Sequence, residues 1–199
     1  PASAGPSSEV RRDLAPVPAP HVEREVERGV DLDAVWAFVN PQMLYGKHLG
    51  FRGSFAKALE AGDERAARLA ATVDEVRREA WRWMEVAAVW RFLDAVAERD
   101  EVALYAPGDV REIGRLAFPR QLREAGLCVA DYVLPARHGR RDSIAAFVVT
   151  AGAGVRDRAE ALKREGELLA SHVVQALALE MAEASAEWLH ARLRAAWGF

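Results

Sequence analysis

The residues best able to do chemistry in this 199-residue chain are five histidines, one cysteine and three glutamates close together near the C-terminal end. His21, His48, His138, His172 and His190 contain no His-x-x-x-His pair. Glu187 and His190 form a Glu-x-x-His unit, half of a carboxylate metal site, but the second half is missing; a solvated hydrogen-bonded pair is the plainer reading. Cys128 lies in an apolar run, where cysteine behaves as a small hydrophobe, and no adjacent base would make it a nucleophile. Thr150-Ala-Gly-Ala-Gly154 falls between an expected strand and an expected helix, as a phosphate cradle would. The Gly-x-Gly-x-x-Gly series fails at Asp157, however, where an acid opposes phosphate. No catalytic residue and no metal site emerges. Glu180, Glu183 and Glu187 remain. Glu183 and Glu187 are four apart and project from one helix face. They are either solvated or face a cationic ligand such as an ammonium or a sulfonium.

The elements that must position these groups can be read in order. Asp31–Val39 begins with a good N-cap and has Leu32, Val35, Trp36 and Val39 at helical spacing; Asn40-Pro41 ends it. Gly46, Gly50 and Gly53 mark an irregular segment rich in aromatic and cationic groups. Asp63–Trp83 reads as a helix through Leu69, Val73, Val76, Ala80 and Trp83. Val86–Val96 suits either a helix or a buried strand. Strands are expected at Glu101–Ala106, Glu112–Phe118, Leu127–Leu134 and Ser143–Thr150, the last two pairing across Arg137–Arg141. Helices are expected over Val155–Leu169 and His172–Trp197. Helix, mixed sheet, then long helices indicates an α+β fold.

Composition narrows the class. One cysteine excludes a disulfide framework and a multi-cysteine zinc or iron–sulfur site. With 27 Lys+Arg against 30 Asp+Glu and a net charge of -3, the chain is not built to neutralise a nucleic-acid backbone. Its apolar runs are too short to span a bilayer. The first residues have no apolar segment of the kind a secretory signal needs. The expectation is a soluble cytoplasmic domain with no nucleic-acid or membrane partner. Five of the nine prolines fall in Pro1–Pro20. Such a segment buries too little to offset its ordering entropy. Residues 1–29 are therefore read as a flexible linker and 30–199 as the domain. The absence of an initiating methionine suggests a piece of a longer protein.

Several blocks then combine into a resemblance. Leu127-Cys-Val-Ala-Asp-Tyr-Val-Leu-Pro135, Asp142-Ser-Ile-Ala-Ala-Phe-Val-Val-Thr-Ala-Gly152, Gln175–His190 and Trp197-Gly-Phe199 resemble, in order and spacing, the activation domain of cobalamin-dependent methionine synthase. Asn40–Arg52 and Phe118-Pro-Arg-Gln121 are similar to two further blocks of that family. The resemblance spans about residues 30–199. It implies a twisted antiparallel sheet flanked by helices, and it favours a strand for Val86–Phe92. It implies a module that binds S-adenosylmethionine and docks on the cobalamin-binding domain of the same enzyme. The parent enzyme moves a methyl group from methyltetrahydrofolate through cobalamin to homocysteine. When its cofactor oxidises to cob(II)alamin, the module presents the sulfonium methyl while flavodoxin or a similar reductase supplies an electron. Asn40 falls where the family has an Asp or Asn near the ligand's amino group, and Glu183 on a carboxylate that lines the concave face. Leu179 replaces the family's other acid. The family fingerprint Arg-x-x-x-Gly-Tyr-x-x-Cys-Pro lies beyond Phe199. The alternative is a non-catalytic accessory domain that contacts a corrinoid protein without binding S-adenosylmethionine.

Overall fold

The computed structural model describes residues 10–11, 14–123 and 126–199; the rest of the segment read as a linker lies outside the described residues. Five strands form one sheet: β1 (Glu25–Arg28), β2 (Ala87–Glu98), β3 (Glu101–Tyr105), β4 (Glu112–Ala117) and β5 (Asp142–Thr150). Their order is β1-β2-β3-β4, with β5 also paired to β2. Five α-helices accompany it: α1 (Leu32–Trp36), α2 (Phe55–Glu60), α3 (Glu64–Ala80), α4 (Val155–Arg164) and α5 (Leu168–Trp197). The α+β reading holds, with antiparallel β2–β3 and β3–β4 pairs. Val86–Val96 is resolved as the strand β2, the assignment that the resemblance favoured.

The chain divides into two compact units. The first comprises 1–25, 90–147 and 193–199. Its core packs Leu93, Ala95 and Ala97 of β2 on Val102 and Leu104 of β3, with Cys128, Ala130 and Val133 alongside. A two-residue turn joins β2 to β3, and Arg99 adopts a left-handed φ of 57° to make it. That register sets Glu98 opposite Glu101, an unfavourable like-charge pair. Arg115 of β4 offsets it by reaching Glu98, Glu101 and Glu112 at 2.6, 3.2 and 2.7 Å.

Leu127–Leu134 corrects the sequence reading. It is no strand and does not pair with β5. Val129–Tyr132 is a single 3-10 turn. The cause is Asp131, whose carboxylate accepts the Cys128 N–H at 3.1 Å and closes the turn on itself. The same carboxylate takes two bonds from Arg120 at 2.6 and 2.9 Å, and Arg120 also bonds Asp100 Oδ1 and the Gly126 carbonyl. Arg120 and Asp131 are both buried in side chain. Cys128 is buried as well, with Sγ 3.4 Å from the Phe118 carbonyl, as expected of a packing cysteine.

The first unit also holds part of the proline-rich segment in place. The Trp197 indole N–H donates to the Val17 and Pro18 carbonyls at 3.3 and 3.0 Å. Phe92, fully buried, meets the ring of Trp197 edge-on at 4.8 Å and that of His21 at 4.9 Å.

The second unit comprises 26–89 and 148–192. Asp63 caps α3 by accepting the Ala66 N–H at 2.8 Å, and α3 buries Ala66, Val73, Val76 and Ala80. Three of those four positions follow the expected periodicity. Tyr45, Phe51, Phe55 and Ala66 form a second small core, in which the Tyr45 and Phe55 rings stack at 3.7 Å. Gly154 opens α4 with φ +73°, and a Cβ there would meet Trp83 at 3.1 Å. Gly154→Ala is therefore expected to cost about 1–3 kcal/mol, read as a lower thermal midpoint. The glycines 152 and 154 thus make a strand-to-helix turn, the plainer of the two sequence readings.

Candidate functional site

The residues singled out by resemblance both lie in the second unit. Asn40 ends the turn after α1 and starts a π-helix at Gln42–His48, where the sequence suggested only irregular chain. Its side-chain oxygen accepts the N–H groups of Gln42 and Met43 at 3.0 and 3.3 Å. Its carbonyl accepts those of Met43 and Leu44. Asn40 is exposed, and its amide nitrogen has no protein partner among the described residues. The π-helix is a rare, wide helix that recurs at functional positions. Here only Leu44 of the seven residues is buried.

Glu183 stands exposed on α5 and makes no ion pair among the described residues. No hydrogen bond joins it to Asn40. One turn earlier, Glu180 is only 1% exposed. Val173, Leu177, Met181, Ala184 and Trp188 form the buried stripe of α5, and Glu180 falls on it. Its Oε1 lies 2.9 Å from His48 Nε2 at the far end of the π-helix. The two atoms are too poorly aligned for a well-directed hydrogen bond, and neither has another partner. A second link runs from α5 to the same residue. His172 Nε2 is 2.9 Å from the His48 carbonyl. A carbonyl can only accept, so that nitrogen carries a proton.

Burial pushes the Glu180 carboxyl above the usual carboxylate range, and the charge of Glu183 adds to the effect. His48 and Lys47 act against it. A buried carboxylate is the costliest kind of polar group to leave alone, so the histidine is a needed companion. Sequence reasoning named Glu180 only as one of three acids on a helix. The signal was present: Glu180 follows Leu177 by three and precedes Ala184 by four, which places it on the apolar stripe. Its partner could not be read from spacing.

Glu187 and His190 are both exposed on α5. No group of three or more His, Cys, Asp or Glu among the described residues is arranged to hold a metal. No described helix is long and apolar enough to cross a membrane.

What the second unit offers is an exposed amide at Asn40, an unpaired carboxylate at Glu183, and a buried His–Glu contact tying their supporting elements together. A carboxylate and an amide suit a ligand that carries both a positive charge and polar groups. The fold is similar to a crystal structure of the MetH reactivation domain bound to AdoHcy, with a TM-score of 0.82 and 25% identity. The match covers 94% of this chain and 60% of that one, so the chain spans about three fifths of its relative's length. Residues 31–199 match the family described as the activation domain of vitamin B12-dependent methionine synthase, and the chain belongs to that family.

Proposed function

We propose that this chain is the S-adenosylmethionine-dependent reactivation module of a cobalamin-dependent methionine synthase. The supporting observation is its fold-level similarity to a reactivation domain that binds AdoHcy, the product left when S-adenosylmethionine gives up its methyl group. In this reading residues 1–29 tether the module 30–199 to the cobalamin-binding domain of the same cytoplasmic enzyme of methionine biosynthesis. S-adenosylmethionine supplies a sulfonium methyl, which cobalamin held by the neighbouring domain takes up after one-electron reduction by flavodoxin or a similar protein. The residues of this chain bind and orient; none performs acid–base chemistry. Glu183 faces the ligand's positive charge. Asn40, its oxygen already committed to the π-helix backbone, keeps its amide N–H groups for an acceptor on the ligand, such as its carboxylate, and not for its amino group. Positioning of this kind is the main lever for an in-line transfer.

The exposed Leu179, where the family carries an acid, favours a second reading: an accessory domain that touches the corrinoid protein without binding the methyl donor. One experiment separates the two. The chain is mixed with a cobalamin-bearing methionine synthase domain, and the visible corrinoid spectrum is recorded with S-adenosylmethionine and a chemical one-electron reductant. Both readings expect complex formation and a spectral change on mixing; no complex would overturn both. The reactivation reading further expects methylcobalamin absorbance to return only when the donor is present. Titrated into the chain by itself, the donor is expected to bind more weakly than about 100 μM by calorimetry.

A further inference from the structure

We propose that the first unit carries an aromatic shelf that recognises proline-rich chain in the extended polyproline II form, and that residues 14–22 are its resident, detachable ligand. The inference rests on contacts inside that unit alone and stands whether or not the reactivation reading does.

Pro16, Pro18 and Pro20 alternate with Val17 and Ala19. Proline fixes φ near about −65° and has no N–H, so such a run is preset for polyproline II, a helix without hydrogen bonds of its own that leaves its carbonyls bare. The burial pattern has the three-residue period of that helix: Pro16 and Ala19 are partly buried, while Val17, Pro18 and Pro20 are exposed. Among the described residues, no main-chain to main-chain hydrogen bond holds residues 14–22. Side-chain donors do so instead. The Trp197 indole N–H reaches the consecutive carbonyls of Val17 and Pro18, and Arg91 Nε–H donates to the Val22 carbonyl at 3.3 Å. Rings complete the shelf: Phe92 and Phe199 flank Trp197 at 4.8 and 5.9 Å, and His21 of the segment sits edge-on to Phe92. Aromatic-lined surfaces take proline-rich segments in this way because the preset chain has little entropy left to lose.

The segment lies on the unit rather than completing its core. A cavity of about 250 Å3 separates Leu14, Pro16 and Val17 from Val133, Leu134 and Phe199, whereas a packed interior leaves few gaps larger than a water molecule. Phe199 is still 66% exposed with the segment in place. Two states follow. In one, residues 14–22 occupy the shelf, favoured by the high effective concentration of a ligand on the same chain. In the other they are released, and a second proline-alternating segment can take their place at Trp197. On the reactivation reading, release also gives the tether the extended length of residues 14–22, up to about 30 Å.

The test uses the full chain and a dye-labelled peptide that copies residues 14–24, followed by fluorescence anisotropy. A triple variant, Pro16→Ala with Pro18→Ala and Pro20→Ala, changes positions outside every helix and strand and loosens the resident segment, because alanine restores freedom to the released chain. The peptide is expected to bind the triple variant about 10- to 100-fold more tightly than the wild type, whose own segment competes. Cleavage after Arg24 should speed up in the same variant. A peptide with alanine at the three proline positions should bind less tightly by a similar factor. Adding Trp197→Phe to the triple variant keeps a ring and removes the donor, and should weaken binding about tenfold. Equal binding of the proline and alanine peptides would overturn the inference. So would no binding to the triple variant at about 1 mM peptide, or a triple variant that matches the wild type in both affinity and cleavage. If Trp197→Phe does not fold, the Trp197 indole proton signal decides: it is expected to shift as peptide saturates the triple variant, and an unmoved signal would overturn the assigned donor. On gel filtration the wild type is expected to be a monomer; a dimer that the triple variant does not form would mean that copies trade segments, and would overturn docking within one chain.

Discussion

Replacing Arg120 with methionine is expected to remove about 3–5 kcal/mol of folding stability, seen as a lower urea midpoint with little change in slope. Arg120 donates five hydrogen bonds: two to Asp131, two to one oxygen of Asp100 and one to the Gly126 carbonyl. Asp131 is 2% exposed. Without the guanidinium its buried charge loses both of these bonds, which is the expensive half of breaking such a pair. Asp100 is more open to water and adds less. A domain of this size has about 5–15 kcal/mol in all, so the loss is a large share. The double change Arg120→Met with Asp131→Leu should recover most of it, because an apolar pair carries no desolvation penalty. A single variant as stable as the parent would show that the network is dispensable.

The second large effect is expected at Phe92. Truncation to alanine in a filled core costs about 3–5 kcal/mol. Phe92 has the further role of shelf for two other rings, His21 and Trp197. Trp197 in turn holds the carbonyls of Val17 and Pro18. Phe92→Ala should therefore lower the thermal midpoint and also free the segment around residues 14–22. Limited proteolysis under native conditions reads the second effect separately: cleavage after Arg24 should speed up more than cleavage elsewhere. Phe92→Leu, which keeps apolar volume but loses the edge-on contacts, should fall between. Equal protection of the segment in all three proteins would separate the shelf from its strap.

These sites show what could be read in the sequence and what could not. Local signals gave α3, with its Asp63 cap and buried stripe, and gave β3 and β4 to within a residue or so. They gave the division between α4 and α5, whose break falls near the expected place. They failed where a distant partner overrides local preference. Leu127–Leu134 is apolar and β-branched, yet Arg120 and the Cys128 N–H draw Asp131 inward and wind the chain into a turn. The blocks Phe118–Gln121 and Leu127–Pro135 are separate points of resemblance in the sequence. The structure joins them, because the arginine of one is the counter-ion of the other. The π-helix was illegible for a related reason. Its backbone bonds follow no apolar period, and one of its residues, His48, meets its acid, Glu180, far along the chain. Asn40 and Glu183 came from resemblance rather than from chemistry read in the residues. The structure gives them exposed positions on separate elements and no direct contact.

The indole of Trp197 has one more consequence. By gripping the carbonyls of Val17 and Pro18 it ties that stretch of chain to the last turn of α5, beside a cavity of about 250 Å3 that Leu14, Pro16 and Phe199 help to line. Fraying of that helical turn and release of that stretch are therefore a single opening event, so amide protection at the two should fall together.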